Sequence, residues 1–156
     1  MAGESIVRLA SDCDVTDGRF RRGCMTALDA LALYPGVKDA LAELDRRGTS
    51  QGVVTSLPGR FAEPLLERLG LAVHFSVVVH AGTVRTGKPS PAPLLEAARR
   101  MALDDLADVV YVGDTAKDAE AARRAGMRFA WAAYGYGSEC PDHAVTLHAF
   151  SDVLAL

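Results

Sequence analysis

The stretch that decides the fold is DVVYVGDTAKDAEAARRAGMRFAWAA, residues 108–133. Apolar, β-branched and aromatic residues at 108–112 and again at 128–133 predict two buried strands. Between them, small and charged residues predict a helix over 116–125 that ends at Gly126. Two strands joined through a helix run parallel in one sheet, so this segment indicates an α/β protein.

The same alternation extends outward over the rest of the chain. We predict further strands at 5–10, 51–55 and 74–79 and further helices at 36–47, 60–69 and 92–101. The segment after Gly135 is the least periodic and is predicted as a loop with a short final helix. The pattern predicts a three-layer, Rossmann-like fold with about five parallel strands and helices on both faces.

Length and composition exclude several classes of protein. A chain of 156 residues suits a single domain over 1–156. A formal net charge of -3 argues against nucleic acid as a partner, because binding it requires a basic face. No apolar run approaches the roughly 20 residues of a membrane span, and the first ten residues do not resemble an export signal. The three cysteines, Cys13, Cys24 and Cys140, cannot all form disulfides with one another, and none has CxxC spacing. These features predict reduced thiols and therefore a cytoplasmic protein.

Polar residues follow the predicted strands where each strand ends. In open α/β sheets, ligands bind at the carboxyl ends of the strands, near the point where the strand order reverses. The residues expected at this edge are the acids Asp12, Asp14 and Asp114, the hydroxyls Thr55 and Ser56, and the ammonium of Lys88. The sequence therefore predicts one site that contains carboxylates, hydroxyls and a cation.

Four short motifs carry these residues, and in this order and spacing they resemble a known family. The motifs are DCDVT at 12–16, VVTS at 53–56, GKPSP at 87–91 and VGDTAKD at 112–118. Together they resemble the haloacid dehalogenase (HAD) superfamily of phosphohydrolases. The stretch 34–137 is especially similar to the phosphoglycolate-phosphatase-like branch of that superfamily. Each motif alone is common by chance, but four in register are specific.

The resemblance implies a role for each of these side chains. Asp12 would be the nucleophile that forms an aspartyl phosphate, and Asp14 the general acid and base. Lys88 would neutralise charge on the phosphoryl group and on Asp12. Thr55 and Ser56 would bind phosphoryl oxygens. The implied function is a Mg²⁺-dependent phosphatase that acts on phosphate monoesters.

The resemblance also implies one Mg²⁺ ion at this edge. Its ligands would be the carboxylates of Asp12 and Asp114 and the backbone carbonyl of Asp14. Oxygen donors without a His or Cys cluster are the ligands that Mg²⁺ prefers. Asp118, four residues after Asp114, would either support the metal ligands or pair with Lys88.

Related enzymes often insert a cap domain over the site, and this sequence leaves no room for one. Twenty residues separate Asp14 from Pro35, and thirty-two separate Thr55 from Lys88. Residues 13–34 are instead expected to form a short flap, whose tip offers Arg19, Arg21 and Arg22, either for substrate or as a solvated cluster. An open site leaves recognition of a small phosphorylated metabolite to the flap, to the loop from His80 to Arg85, or to a second subunit that covers the mouth.

Structural roles for the same residues stay open at the level of sequence. Asp12 and Asp14 could be turn carboxylates, and Lys88 could be a solvated loop lysine. Ser56 and Thr55 could cap the helix that follows them. Asp114 could be the N-cap of the helix predicted over 116–125, and Asp118 could be an acid in its first turn. Both roles are compatible with catalysis.

Two other functions are alternatives to the phosphatase. In the first motif, Ser11 and Val15 replace a bulky apolar residue and a glycine that are common in the family. These departures motivate a catalytically weak or inactive phosphate-binding module as the alternative. A response-regulator receiver domain is disfavoured, because its phosphoacceptor follows the third strand, whereas here the first acids follow the first strand.

Overall fold

A computed structural model of the chain describes residues 5–7, 33–135, 137 and 145–156. The strands are β1 (Ser5–Val7), β2 (Gln51–Pro58), β3 (Val77–Ala81), β4 (Val110–Gly113), β5 (Arg128–Ala132) and β6 (Val145–Leu147). The α-helices are α1 (Val37–Arg46), α2 (Gly59–Leu69), α3 (Ala92–Arg100) and α4 (Ala116–Ala125). Short 3₁₀ helices cover Ala72–His74, Leu106–Asp108 and Phe150–Ala155.

The strands form one sheet in the order β3-β2-β1-β4-β5-β6, and every described pair of neighbours is parallel. The chain builds outward from β1 to β3 on one side and from β4 to β6 on the other. The order therefore reverses at β1 and β4, which is where ligands bind in open parallel sheets. The predicted α/β class and parallel sheet are confirmed.

Helices cover both faces of the sheet because alternate strand residues point to opposite sides. On one face, α1 and the last 3₁₀ helix pack against Val53, Val110 and Val112. On the other face, α3 and α4 pack against Val54 and Tyr111. β2 and β4 each supply residues to both clusters, as expected for strands in the interior of the sheet. The three layers of the prediction are therefore present.

Two glycines end helices as the sequence predicts. Gly70 follows α2 with φ of 69°, and Gly126 follows α4 with φ of 74°. This left-handed conformation is easily adopted by glycine and strained for most other residues. No helix in the described ranges is long and apolar enough to cross a membrane.

The structure corrects the predicted elements in three places. β6 lies in the segment after Gly135, which was expected to hold a loop and a short final helix, so the sheet has one strand more than the five predicted individually. His74 was predicted to begin a strand but ends a 3₁₀ helix, and β3 starts at Val77. β2 was expected to end at Thr55 but continues to Pro58, which pairs with Ala81 after a register shift.

The segment between Thr55 and Lys88 contains no inserted domain. It is filled by the end of β2, α2, a 3₁₀ turn, β3 and the loop 82–87. The predicted flap at 13–34 lies outside the described residues except for Leu33 and Tyr34, as do Ser11, Val15 and the three arginines. Cys13, Cys24 and Cys140 also lie outside them, so the reduced-thiol expectation stays a prediction.

Candidate active site

A buried ion pair stands at the carboxyl end of the sheet. Lys88 Nζ lies 2.6 Å from Asp118 Oδ1, and their side chains are 5% and 0% exposed. Lys88 comes from the loop after β3, and Asp118 comes from the first turn of α4. Of the two roles expected for Asp118, the pairing with Lys88 is present. The alternative of a solvated loop lysine is wrong, because the ammonium is enclosed.

Tyr111 completes this pair from the middle of β4. Its hydroxyl lies 3.0 Å from Lys88 Nζ, 3.3 Å from Asp118 Oδ1 and 3.5 Å from the carbonyl oxygen of Val54. The hydroxyl therefore accepts from the ammonium and can donate to the carboxylate. Tyr111 is fully buried in β4, so the surrounding side chains hold its hydroxyl in place next to the Lys88 ammonium.

Asp118 is also part of the N-terminal cap of α4. Thr115 donates to Asp118 Oδ2 through its backbone N–H at 3.1 Å and through Oγ1 at 2.6 Å, and the two residues form a capping box. The first-turn role expected for Asp118 is thus present together with the ion pair. The N-cap is Thr115, so the expectation that Asp114 caps the helix is wrong.

Asp114 follows β4 directly and is buried, with 3% of its surface exposed. Two glycines enclose it. A Cβ at Gly135 would contact the Asp114 side chain and lie 2.8 Å from its Oδ2, and a Cβ at Gly137 would collide with the Asp114 carbonyl oxygen. Burial raises the pKa of the adjacent Tyr134, and the charge of Asp114 adds to that increase. Tyr134 therefore stays a neutral hydroxyl near this carboxylate.

The two predicted phosphate-binding hydroxyls lie next to each other within β2. Thr55 is buried, and its Oγ1 accepts a hydrogen bond from the backbone N–H of Leu57 at 3.1 Å. Ser56 is exposed. Neither caps α2, because the N-cap of that helix is Pro58 and it has no side-chain cap. The capping alternative for both residues is therefore wrong.

A cavity of about 290 Å³ brings several of these side chains together. Thr55, Ser56 and Lys88 line it, as do His80 and Arg85 from the end of β3 and the loop that follows. The side chains predicted to bind a phosphoryl group thus border one space. Asp114 is not among the residues that line this cavity.

Asp12 and Asp14, the predicted nucleophile and general acid, lie outside the described residues. β1, which precedes them in the chain, lies between β2 and β4 in the sheet. In the part of the chain that the structure describes, no three His, Cys, Asp or Glu side chains gather into a metal site. Two of the three predicted Mg²⁺ ligands are absent from that part.

Sequence reasoning missed the contribution of Tyr111, Gly135 and Gly137. A signal for Tyr111 was present, because a tyrosine in the apolar run VVYV must find a polar partner for its hydroxyl once the strand is buried. The pair of glycines in GYG after β5 was also visible, but nothing in the sequence shows which side chain lies against them. That contact depends on the position of β5 beside β4.

Comparisons with known proteins agree with this geometry. A family model described as "Haloacid dehalogenase-like hydrolase" matches residues 12–132. The chain is 38% identical to the N-acetylmuramic acid 6-phosphate phosphatase of Pseudomonas putida over 118 residues, which is 76% of this chain and 51% of the relative. It is 41% identical to the phosphoglycolate phosphatase of Escherichia coli over 104 residues, which is 67% of this chain and 41% of that protein.

The chain therefore spans about half the length of the curated relatives that it matches. Among solved structures, a predicted phosphoglycolate phosphatase from Haemophilus somnus superposes with a TM-score of 0.79 at 28% identity. That similarity covers 88% of this chain and 63% of the other.

Proposed function

Because this chain belongs to the haloacid dehalogenase-like hydrolase family, we propose that it is a phosphatase that hydrolyses small phosphate monoesters through a covalent aspartyl phosphate. The observation that supports this most is the buried Lys88–Asp118 pair, whose lysine borders the same cavity as Thr55. The curated relatives carry phosphatase names, and the substrates in those names are small phosphorylated metabolites.

The proposed reaction has two steps. In the first, a carboxylate oxygen of Asp12 attacks phosphorus, the ester P–O bond breaks, and Asp14 gives its proton to the departing alkoxide. In the second, water attacks the phosphorus of the aspartyl phosphate and Asp14 accepts a proton from it. The bond to Asp12 then breaks, which releases inorganic phosphate and restores both carboxyl groups.

The described residues would hold the phosphoryl group during these steps. Lys88 would contact the negative oxygens of the phosphoryl group from a position fixed by Asp118 and Tyr111. An ammonium enclosed in this way interacts more strongly with developing charge than one in water, and it needs no reorganisation. The hydroxyls of Thr55 and Ser56 would donate hydrogen bonds to the same oxygens from β2.

The residues at this edge fit a Mg²⁺ ion. Asp114 is a buried carboxylate whose surroundings are kept open by Gly135 and Gly137, where any Cβ would fill the space beside it. Asp114, Asp12 and the carbonyl of Asp14 would hold the ion, and all three donors are the hard oxygens that Mg²⁺ prefers. When bound, Mg²⁺ would supply positive charge that lowers repulsion between the phosphoryl oxygens and Asp12.

Hydrolysis of p-nitrophenyl phosphate by the purified full chain tests this proposal. We expect release of p-nitrophenol that requires Mg²⁺, is lost with a chelator and returns when Mg²⁺ is restored. Asp12→Asn should abolish it while circular dichroism shows an unchanged fold. Asp39→Asn, which alters an exposed acid in the first turn of α1, is the matched control and should keep turnover.

Absence of metal-dependent release by the wild-type chain across a broad panel of esters would contradict the proposal. If that inactive chain still bound beryllium fluoride tightly with Mg²⁺, the phosphate-binding module without turnover would take the place of the phosphatase. Ser11 and Val15, which depart from the residues common in the first motif of the family, would then account for the loss of catalytic turnover.

A further inference from the structure

The hydroxyl of Tyr111 joins three segments of the candidate site from inside the core. It accepts from Lys88 Nζ, in the loop after β3, at 3.0 Å. Its own proton faces two acceptors, Asp118 Oδ1 in α4 at 3.3 Å and the carbonyl oxygen of Val54 in β2 at 3.5 Å. Burying a hydroxyl costs free energy unless it is bonded, and a phenylalanine would fill the same space without that cost. The hydroxyl therefore calls for a role of its own.

The first consequence concerns the direction of the Lys88 ammonium. An ammonium has three N–H donors in a tetrahedral arrangement. One of them points at Asp118 Oδ1, at 2.6 Å, and another at the Tyr111 hydroxyl. With Asp118 alone, the lysine side chain could pivot about the line from Nζ to Oδ1. Two acceptors on different elements remove that motion and fix the direction of the third N–H.

The second consequence concerns the strand that carries Thr55. β2 pairs regularly with β3 up to Val54, and pairing resumes at Pro58 after a register shift. Thr55 lies in the irregular stretch between them. Such irregularities re-aim side chains next to active sites. The carbonyl that faces the Tyr111 hydroxyl belongs to Val54, directly before Thr55, so one hydroxyl contacts both the start of this stretch and the ammonium.

We propose that Tyr111 is a positioning residue for phosphoryl transfer, whose hydroxyl sets the direction of the Lys88 ammonium relative to Thr55. The inference rests on the proposed phosphatase function, which gives Lys88 and Thr55 the same phosphoryl oxygens to bind. Both of these residues line the cavity, and Tyr111 does not. Tyr111 therefore acts through Lys88 and Val54 and not by touching the substrate.

A residue of this kind affects the transition state more than the bound ester. An ammonium near a phosphate ester attracts it in many orientations. During transfer the phosphoryl group flattens, with the attacking and leaving oxygens in line, so its three remaining oxygens take up defined directions. Only contacts that are stronger in the transition state than in the bound substrate raise kcat. Loss of the Tyr111 hydroxyl should therefore lower kcat and leave KM nearly unchanged.

Tyr111→Phe provides the test, because it keeps the ring and removes a single oxygen atom. We expect kcat for p-nitrophenyl phosphate to fall roughly 10-fold, the value of one hydrogen bond to a charged group, with KM nearly constant. Orthovanadate adopts the trigonal bipyramidal geometry of the transferring group, so its inhibition should weaken by a similar factor. Inhibition by inorganic phosphate, which is tetrahedral, should hardly change.

Phe129→Leu is the matched control for packing. The Phe129 ring lies 6.4 Å from the Tyr111 ring and packs against the same core cluster. This variant removes packing and keeps the hydroxyl, so it should lower Tm without changing kcat or the ratio of the vanadate and phosphate inhibition constants. Unchanged kcat in Tyr111→Phe, or an equal fall of kcat in both variants, would overturn the proposal. Failure of Tyr111→Phe to fold, while Phe129→Leu folds, would assign the hydroxyl to stability and would overturn it too.

Anion binding separates this inference from the proposed function. The dissociation constants of orthovanadate and inorganic phosphate are measured by titration calorimetry with Mg²⁺, in the wild-type chain and in Tyr111→Phe. If no ester were hydrolysed, the phosphatase proposal would fail. Weaker binding of orthovanadate but not of phosphate in Tyr111→Phe would still support the positioning role. Equal changes for the two anions, or no binding of either by the wild-type chain, would exclude it.

Discussion

Two polar clusters lie at opposite ends of the sheet and differ in where they place charge. At the carboxyl end, Lys88 and Asp118 bury an ammonium and a carboxylate. At the amino end, Gln51 buries a neutral amide that donates to Asp45 Oδ1 at 2.6 Å. His74 Nδ1 lies 2.5 Å from the other oxygen of Asp45, whose side chain is 44% exposed. Charge at the amino end stays in contact with water, and charge at the carboxyl end does not.

This difference indicates that the two clusters serve different purposes, one in stabilising the fold and the other in the reaction. A buried ion pair is seldom more stabilising than apolar side chains of the same volume, because both charges lose their hydration. Stability alone therefore does not account for Lys88 and Asp118 in the interior. A dry, fixed ammonium is useful where a phosphoryl group must be bound, and this is the edge where parallel sheets bind ligands. The amino-end cluster needs only to join α1 to β2.

The largest effect is expected from Lys88→Met. It leaves the carboxylate of Asp118 buried without its cation, which should lower the free energy of unfolding by about 3–5 kcal/mol. Turnover should be lost as well. Urea unfolding followed by circular dichroism measures the first effect, and phosphate release measures the second.

Combining Lys88→Met with Asp118→Asn tests the reason for that loss. Removal of both charges should recover much of the stability, because no uncompensated carboxylate remains, while turnover stays absent. If the single variant were as stable as the wild-type chain, or if the double variant regained turnover, the contrast between the two ends of the sheet would fail.

A smaller effect is expected from Gly135→Ala. The added methyl group would press on the Asp114 side chain, whose Oδ2 lies 2.8 Å from the position of the new Cβ. Overpacking of this kind lowers the free energy of unfolding by about 1–3 kcal/mol. Displacement of Asp114 should also reduce the rate of turnover and raise the Mg²⁺ concentration at which turnover reaches half of its maximum. Titration of turnover with Mg²⁺ provides the measurement.

Gly126→Ala is the companion to that variant. Gly126 has a positive φ of 74° and nothing within 4 Å of an added Cβ, so alanine should cost about 1–2 kcal/mol through backbone strain alone. The Mg²⁺ dependence of turnover should not move. An equal change in Mg²⁺ dependence in both glycine variants would mean that Gly135 acts through general stability.

At the amino end, Gln51→Met should have a modest effect on stability and none on turnover. The variant removes hydrogen bonds from Nε2 to Asp45 and to the carbonyl of Leu41, which is worth about 1 kcal/mol of unfolding free energy. Asp45 remains partly solvated, so no bare buried charge results. Loss of turnover in Gln51→Met at unchanged folding would show that the amino end takes part in function.

The smallest effect is expected on the helix surfaces, where Glu43, Glu96 and Glu120 each bond to two arginines one turn later in their own helices. These bonds lower the pKa of Glu96 from 4.5 to about 2. A lowered pKa stabilises the folded chain above about pH 4.5, and this contribution disappears as the pH falls toward 2. Glu96→Gln should slightly lower Tm at pH 7 and not at pH 2, as measured by calorimetry.

Local patterns in the sequence were sufficient for most of the fold. The spacing in α1 to α4 is strongly periodic, and Gly70 and Gly126 mark helix ends by their own backbone preference. β6 has only three residues, which is too short for a period to appear. His74 has apolar neighbours that resemble a strand, but its pairing with Asp45 across the sheet end depends on tertiary packing.

The candidate site was predictable where a motif fixes both residue type and position. Lys88 and Asp118 belong to such motifs, and the sequence proposed their pairing as one of two roles. Tyr111 belongs to no motif of its own, because its role arises only when β4 lies beneath the loop after β3. The loop from His80 to Arg85 was one of three open options for substrate recognition, and in the described ranges it supplies residues to the cavity that Lys88 and Thr55 line.

The most direct test of the central claim is to locate the phosphoryl group on the protein itself. The full chain is mixed with p-nitrophenyl phosphate and Mg²⁺ and quenched in acid, and the acyl phosphate is reduced with borohydride and mapped by peptide mass spectrometry. The account predicts labelling of Asp12, absent in Asp12→Asn and much reduced in Lys88→Met. Labelling of Asp114 or another residue, or turnover without any labelled carboxylate, would contradict it.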